Sequence, residues 1–292
     1  MNINSNVKAV DLHNESTQLM EIYRDPIALQ KYLQNLKRET KSIGFVPTMG
    51  ALHEGHLSLI DRARSECDFV VASIFVNPTQ FNSAKDLENY PSQLLDDQEK
   101  LQERGCHALF LPEQSSVYPD NFNYRVTEKN DSKLLCGEHR EGHFEGVLSI
   151  VFKLLNICCA DRAYFGEKDF QQLRLIEGMT KAFFLPCEIV ACPTIRETDG
   201  LAMSSRNLRL NSDERKNAAH LYRVLRHSKN LNDAKTELER LGFELDYLEE
   251  HWGRRFVAAQ LGSVRLIDNV EIAPNLEVKE SNNSQNHPGV NQ

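Results

Sequence analysis

The sequence lacks a long apolar run, a signal peptide and the cysteine spacing of a metal or disulfide site. Its longest nearly apolar run, residues 69–76, is far shorter than the ~20 residues that a membrane-spanning helix needs. The first nineteen residues are polar and have no apolar core. Seven cysteines without a CxxC pair favour reduced thiols over disulfides or zinc. We therefore expect a cytoplasmic protein with no membrane partner.

An excess of positive charge is also missing. The 292 residues contain 34 Lys and Arg against 42 Asp and Glu, which gives a net charge of −8. This balance provides no global attraction to nucleic acid, so we expect no nucleic-acid partner, although a local basic pocket is compatible with it. The hydrophobic fraction of 40% is ordinary for a globular protein with a sizeable core.

Short apolar strands alternate with helical patterns up to Cys192. The predicted strands are residues 42–46, 69–76, 107–112, 162–166 and 187–192. The predicted helices are residues 57–67, a segment after Pro91, 147–159 and 169–184. Strands that are apolar on both faces and alternate with helices predict a Rossmann-like α/β fold, in which helices cover both faces of a parallel sheet.

The pattern changes after Cys192. A long polar loop leads into two charged helical stretches, which start at Asn211 or Ser212 and stop at Gly242, and strand-like segments follow. This predicts a smaller α+β C-terminal domain. We expect four segments, namely a polar extension, a Rossmann-like domain, the C-terminal domain and a disordered tail, at residues 1–21, 22–193, 194–280 and 281–292.

The most informative motif is VPTMGALHEGHLSLI, residues 46–60, which leaves a strand and enters a helix at about His56. Ligands of open parallel sheets bind beyond the carboxyl ends of the strands, and a helix N-terminus favours phosphate. Gly50 and Gly55 allow a ligand to approach the backbone, and His53 and His56 can donate hydrogen bonds to phosphate oxygens. For this motif alone, a capped helix with two surface histidines is the alternative.

Two further motifs offer groups for phosphate. Residues 163–176 place Lys168 and Asp169 at a second helix start, where lysine can neutralise a triphosphate and aspartate can bind Mg²⁺ or a ribose hydroxyl. Residues 199–207, DGLAMSSRN, form a loop that could close over phosphates. The alternatives are a solvated charged turn and an interdomain linker.

These motifs occur with SIFVNPTQF, REGHFEGV and RLIDN in one order along residues 22–272. Together they resemble the pantoate–β-alanine ligases, the pantothenate synthetase family within the HxGH nucleotidyltransferase superfamily. HxGH and SSR alone would indicate only the superfamily, whereas GEKDFQQL and FVNPTQF indicate the ligases. The resemblance implies ATP-dependent condensation of (R)-pantoate with β-alanine to pantothenate, AMP and pyrophosphate through a pantoyl adenylate, and it implies a homodimer.

The resemblance also implies roles for individual residues. His56, Lys168, Ser204, Ser205 and Arg206 would be catalytic. The ATP site would consist of Met49, Gly50, Ala51, Leu52, His53, Glu54, Gly55, His56, Gly166, Glu167, Lys168, Asp169, Ile195, Met203, Ser204, Ser205 and Arg206.

Gln80 and Gln172 would bind the substrates pantoate and β-alanine, because amides can both donate to and accept from hydroxyls and carboxylates. Mg²⁺ would accompany ATP, with Asp97 as a candidate ligand. An exposed helix carboxylate is the alternative for Asp97.

The chain departs from the family pattern at three places. Glu141 follows Arg140 where the family usually has proline, and the stretch between Arg206 and Arg265 is shorter than usual, which predicts a shortened C-terminal domain. About twenty residues precede the usual start, so Met20 is a second candidate initiator. Two other functions stay open: a nucleotidyltransferase that stops at the adenylated or cytidylylated product, and a catalytically silent nucleotide-binding module.

Overall fold

The structure, a computed structural model, describes residues 19–272, so nearly all of the predicted extension and the whole predicted tail lie outside the described residues. The strands are β1 (Glu21–Tyr23), β2 (Ile43–Thr48), β3 (Phe69–Ile74), β4 (Ala108–Phe110), β5 (Arg162–Gly166), β6 (Glu188–Cys192), β7 (Glu244–His251), β8 (Arg254–Leu261) and β9 (Val264–Glu271). The helices are α1 (Pro26–Arg38), α2 (Glu54–Glu66), α3 (Ala84–Glu88), α4 (Leu94–Glu103), α5 (Gln114–Val117), α6 (Cys136–His139), α7 (His143–Cys158), α8 (Phe170–Ala182), α9 (Ser212–Ala218), α10 (His220–His227) and α11 (Leu231–Arg240).

Six strands form a parallel sheet in the order β1-β4-β3-β2-β5-β6. The chain runs outward from β2 through β3 to β4 and then returns to β5 on the other side of β2. The order of the strands therefore reverses between β2 and β5. In open α/β sheets, ligands bind at this reversal, beyond the carboxyl ends of the strands. The HxGH motif follows β2 and the GEKD motif follows β5.

Helices cover both faces of this sheet, as predicted. One core cluster combines the sheet with α1, α7 and α8, and a second combines it with α2 and α4. All six residues of β3 are buried, which explains why its run is apolar except for Ser73. No helix among residues 19–272 has the length and apolar character to span a membrane.

The C-terminal part contains α9 to α11 and the antiparallel sheet β7-β8-β9. Alternate residues of β8 point to opposite faces. Phe256 and Ala258 pack into a core shared with α7 and α8, whereas Val257 and Ala259 pack with α10 and α11. One face of the small sheet thus docks the C-terminal domain against the parallel sheet's helices. The boundary predicted at residue 194 stays a prediction.

The sequence analysis predicted no element before residue 42 and two helical stretches after residue 210. The structure has β1 and α1 near the start and three helices, α9 to α11, before β7. The first two were missed because β1 has only three residues and α1 buries only Leu29 and Leu33, so neither has a strong apolar pattern. Asp25, which caps α1, and Pro26 at its first position are the signals that could have revealed it.

Candidate active site

A single cleft beyond the carboxyl ends of the central strands brings the three predicted motifs together. Most of the predicted site residues line it, namely Met49, His53, Gly55, His56, Gln80, Gly166, Lys168, Asp169, Gln172, Ile195, Met203, Ser204, Ser205 and Arg206.

Six predicted residues do not line this cleft. Gly50, Ala51 and Leu52 form the turn behind His53. Glu54 points away and pairs with Arg104, the residue that follows α4, and Glu167 lies near Arg254 of β8. The sixth is Asp97.

The two histidines form the cap of α2. His53 Nδ1 accepts a hydrogen bond from Gly55 N at 3.1 Å, and His56 Nδ1 accepts one from His53 N at 3.4 Å. The ring centroids are 4.1 Å apart. Because each Nδ1 accepts a backbone N–H, the neutral form of each ring carries its hydrogen on Nε2.

Both imidazoles are held neutral. Burial, with the nearby His53 and Lys168, lowers the pKa of His56 to about 3. Burial and the charge of Lys168 likewise lower the pKa of His53 to about 4. At neutral pH the pair therefore offers two Nε2–H donors without adding net charge, which suits contacts with phosphate oxygens.

Asp97 anchors the turn that carries the histidines. Its side chain is buried, and its two oxygens accept hydrogen bonds from Ala51 N at 2.8 Å and Leu52 N at 2.7 Å. Gly50 and Ala51 have φ angles of 83° and 50°, which lie in the left-handed region. Asp97 thus helps to hold Ala51, which unlike Gly50 has a Cβ, in a conformation that such residues rarely adopt. The burial contradicts the alternative of an exposed helix carboxylate, and the role of Asp97 as a metal ligand stays a prediction.

Lys168 and Asp169 lie where β5 passes into α8, with Lys168 Nζ 3.5 Å from Asp169 Oδ2. Enclosure in the cleft raises the pKa of Asp169, but the positive charges of Lys168 and Arg206 outweigh it, so the net effect lowers this pKa. The carboxylate is ionised at neutral pH, and this corner of the cleft carries charge, unlike the histidine pair.

The SSR loop lines the same cleft. Ser204 Oγ accepts a hydrogen bond from Arg206 N at 3.3 Å and caps a short 3₁₀ turn, Ser205–Arg209. The main chain of Met203 is tied to Ile195, since Met203 N donates to Ile195 O at 3.0 Å. The loop is therefore held next to the strand end that it follows.

Asn77 lines the same cleft, although the sequence analysis did not select it. It is buried, and its Oδ1 accepts from Tyr118 Oη at 2.8 Å while its Nδ2 donates to Gln80 Oε1 at 3.2 Å. This chain of bonds turns the amide nitrogen of Gln80 toward Met49 Sδ, 2.9 Å away on the cleft wall. An amide nitrogen is thereby presented to the substrate region. The position of Asn77 in the FVNPTQF motif, three residues before Gln80, was the signal that could have revealed it.

The buried side chain of His143 forms a hydrogen bond with the main chain of Gln80. His143 Nδ1 lies 2.8 Å from Gln80 O, and because a carbonyl only accepts, Nδ1 carries the hydrogen. His143 Nε2 therefore accepts from Arg140 Nη1 at 3.0 Å. Burial and the charge of Arg140 lower the pKa of His143 to about 3, so this ring is also neutral.

An apolar wall completes the cleft. Val147, Ile150, Val151 and Leu154 of α7 line it, and their spacing of i, i+3, i+4 and i+7 places them on one helix face. A helix over residues 147–159 was predicted from the sequence, but none of its faces was assigned to the site. The spacing itself was the available signal.

The described residues form no preset metal centre. No group of three or more His, Cys, Asp or Glu side chains within residues 19–272 is arranged to hold a metal ion. Asp169 is the one carboxylate among the described residues that line the cleft. Mg²⁺ commonly binds through one or two carboxylates together with substrate phosphates and water, so this donor set fits a metal that arrives with a nucleotide.

Comparisons with known proteins agree with this arrangement. The family model described as Pantoate-beta-alanine ligase matches residues 21–271. A pantothenate synthetase of Bdellovibrio bacteriovorus is 51% identical over 254 residues, which cover 87% of this chain and 100% of that protein. One from Legionella pneumophila is 47% identical and covers 78% of this chain and 90% of its own length.

Solved structures show the same fold. A pantoate-beta-alanine ligase from Francisella tularensis, complexed with beta-gamma ATP and beta-alanine, superposes with a TM-score of 0.82 at 42% identity and covers 86% of this chain and 97% of its own. A pantothenate synthetase from Thermus thermophilus gives a TM-score of 0.81 at 40% identity, with coverages of 87% and 100%.

Proposed function

Because this chain belongs to the pantoate–β-alanine ligase family, we propose that the cleft described above is where its reaction takes place. The enzyme condenses (R)-pantoate with β-alanine at the expense of ATP and forms pantothenate, AMP and pyrophosphate. The observation that carries the assignment of the site is the convergence of His56, Lys168, Arg206, Gln80 and Gln172 in one cleft.

The first step activates a carboxylate. An amine does not displace oxide from a carboxylate at a useful rate, so one pantoate oxygen attacks the α-phosphorus of ATP and pyrophosphate leaves. The Nε2–H groups of His53 and His56 donate to phosphate oxygens, and Lys168 and Arg206 offset the charge that develops on them. Preset donors of this kind, in a site that excludes water, stabilise the transition state.

The second step forms the amide. The amine of β-alanine attacks the carbonyl carbon of pantoyl adenylate, and AMP leaves with the bridging oxygen. No enzyme nucleophile takes part. Ser204 and Ser205 act through hydrogen bonds to phosphate, in agreement with the capping role that Ser204 already has in its loop.

Pantoate lies between amide and apolar groups in this proposal. Gln80 and Gln172 bind its carboxylate and hydroxyls, and β-alanine enters beside them. The face of α7 formed by Val147, Ile150 and Val151 contacts the two methyl groups of pantoate, because an apolar wall favours methyl groups over water. Asn77 orients the Gln80 amide for this contact.

Mg²⁺ enters with ATP, and Asp169 is the residue that would hold it. When bound, it supplies positive charge to the phosphates. Asp97 is the second candidate, although each of its carboxylate oxygens already accepts one backbone hydrogen bond.

We also propose a cytoplasmic homodimer. All seven cysteines are free thiols within the described residues, as expected for a reducing compartment. The dimer comes from the family resemblance, and light scattering tests it: a mass of about twice the 33.4 kDa chain is expected.

The assay that tests the function measures pyrophosphate release with ATP and pantoate, with and without β-alanine. Turnover that requires β-alanine and yields AMP and pantothenate supports the ligase. Continuous pyrophosphate release without the amine would indicate a nucleotidyltransferase, and ATP binding without any release would indicate a silent binding module.

Pantoate labelled with ¹⁸O in its carboxylate tests the intermediate. One label is expected in AMP and none in pyrophosphate, because the attacking oxygen stays on the α-phosphorus. Label in inorganic phosphate, with ADP as the co-product, would contradict the adenylate.

A further inference from the structure

The RLIDN motif of β9 connects the C-terminal sheet to the turn that carries Lys168. Asn269 belongs to the C-terminal sheet and is buried, yet its Nδ2 donates to two carbonyls of the other domain, Glu167 O at 2.9 Å and Lys168 O at 3.0 Å. We propose that Asn269 is a positioning residue, which fixes the backbone of Lys168 so that its ammonium group stays in the cleft. The inference rests on the proposed function of that cleft.

The amide of Asn269 has only one possible orientation. Arg254 Nε donates to Asn269 Oδ1 at 2.6 Å, and a guanidinium has no acceptor. The oxygen must therefore face Arg254, and the NH₂ group must face the two carbonyls, which cannot donate. Both ends of the amide are satisfied by groups that fix its direction.

The partner arginine is itself held in place. Arg254 lies over the ring of Phe170, the first residue of α8, with Cζ 4.5 Å from the centroid. It also forms ion pairs with Glu167 at 3.6 Å and Glu271 at 3.2 Å. Asn269 and Arg254, both in the C-terminal sheet, thus contact residues 167–170, where the chain passes from Lys168 into α8.

Asp268, the residue before Asn269, contacts the base of the loop that carries Arg206. Asp268 is buried and accepts two hydrogen bonds from Arg196, at 2.7 and 2.9 Å. Arg196 forms a bridge with Ala202 at the base of the loop that carries Ser204 and Arg206. Two adjacent residues of β9 therefore support the two segments that bring cations to the phosphates.

The test compares the unaltered enzyme with Asn269→Ala and Asn269→Asp. Asn269→Asp keeps the shape but removes the donors and places a negative oxygen against two carbonyls. For both variants we expect a fall in kcat of about 10- to 100-fold, with the KM for ATP and for pantoate changed less than about threefold, because a misplaced Lys168 affects mainly the transition state.

A double-mutant cycle separates positioning from general support of the fold. In a Lys168→Ala background, Asn269→Ala should lower the adenylation rate by less than about twofold further, because the group through which it acts is gone. Losses that multiply in the double variant would overturn the inference.

Arg174→Gln is the matched control. Arg174 of α8 contacts the C-terminal domain by lying over the Trp252 ring, 4.9 Å from its centroid, and its Nε donates to Asp131 Oδ2 at 2.9 Å. None of the hydrogen bonds and ion pairs described within residues 19–272 joins Arg174 to residues 167 or 168. We expect activity within about twofold of the unaltered enzyme. If Arg174→Gln lowered kcat as much as Asn269→Ala does, the contact between the domains in general would be what turnover requires. The specific role of the Asn269 amide would then be wrong.

A second measurement needs no turnover. Hydrogen exchange of the amides of residues 167–171 should be faster in Asn269→Ala than in the unaltered protein, while exchange in β2 and β3 is unchanged. Equal exchange in both proteins would overturn the inference. If the unaltered chain released no pyrophosphate, the proposed function would fail, and this measurement would still decide whether Asn269 fixes the turn.

Discussion

The two strand–helix junctions at the centre of the sheet can be compared directly. The junction after β2 carries His53 and His56, both neutral and both bonded to backbone. The junction after β5 carries Lys168 and Asp169, which are charged and 3.5 Å apart. Two equivalent positions in the fold, at the ends of neighbouring strands, thus differ in what they offer. The junction after β2 provides neutral hydrogen-bond donors, and the junction after β5 provides charged groups.

The two junctions also differ in what holds them. Asp97 of α4, within the same domain, anchors the histidine turn through two buried hydrogen bonds. Asn269 of the C-terminal domain holds the lysine turn. We infer that the neutral donors are preset by the first domain alone, whereas the position of the lysine depends on contact between the domains.

Removal of one histidine should give the largest effect. His56→Ala should lower kcat for adenylation about 10²- to 10³-fold, with ATP affinity changed only a few-fold, because a preset donor contributes mainly in the transition state. Single-turnover pyrophosphate release measures this. His227→Ala, at the exposed end of α10, should stay within twofold, and equal mild effects at both positions would contradict the role of the motif.

Removal of the lysine tests the charged junction. Lys168→Ala should slow adenylation about 10²-fold, and Arg206→Ala should slow it in the same direction. Lys168→Arg should restore only part of the rate, because a planar guanidinium cannot reproduce a point charge at one position. Full recovery of the adenylation rate in Lys168→Arg would mean that a positive charge anywhere in this corner of the cleft is enough. The junction after β5 would then not need a group held at one position.

The sequence predicted the elements around these junctions because the information there is local. Residues 43–46 are apolar and residues 69–76 are apolar except for Ser73, and the motifs that follow β2 and β5 contain the polar groups of the two junctions themselves. Asp97 and Asn269 could not be assigned in this way. Their partners are 45 or more residues distant in sequence, at Leu52 and at Glu167 and Lys168, so only the folded chain shows what they hold.

The anchor of the histidine turn is expected to affect both stability and activity. Asp97→Ala leaves two buried backbone N–H groups without partners, which should reduce the free energy of unfolding by about 2 kcal/mol and kcat about tenfold as the turn relaxes. Urea denaturation and steady-state kinetics measure the two effects.

The neighbouring carboxylate is a matched control for Asp97. Asp96 is half exposed and pairs with Lys100, so Asp96→Ala should cost less than about 1 kcal/mol. A normal stability of Asp97→Ala together with a raised Mg²⁺ requirement would instead favour the metal-ligand hypothesis.

The smallest expected effect is a dependence of stability on pH that belongs to the histidine junction. The pKa of His56 is about 3 in the folded protein and 6.5 is its ordinary value, so below pH 6.5 the unfolded chain binds a proton that the folded chain does not. Stability from this residue is therefore complete above pH 6.5 and falls as the pH decreases toward 3. Between pH 7 and 5 the unaltered protein should lose about 2 kcal/mol more than His56→Gln, which cannot titrate there. Thermal or urea unfolding at the two pH values measures the difference. The other titratable groups contribute nearly equally in both proteins, so their contributions cancel in the comparison. If the free energy of unfolding of the two proteins changed with pH in parallel, His56 would have its ordinary pKa. The contrast between a neutral junction after β2 and a charged junction after β5 would then be wrong.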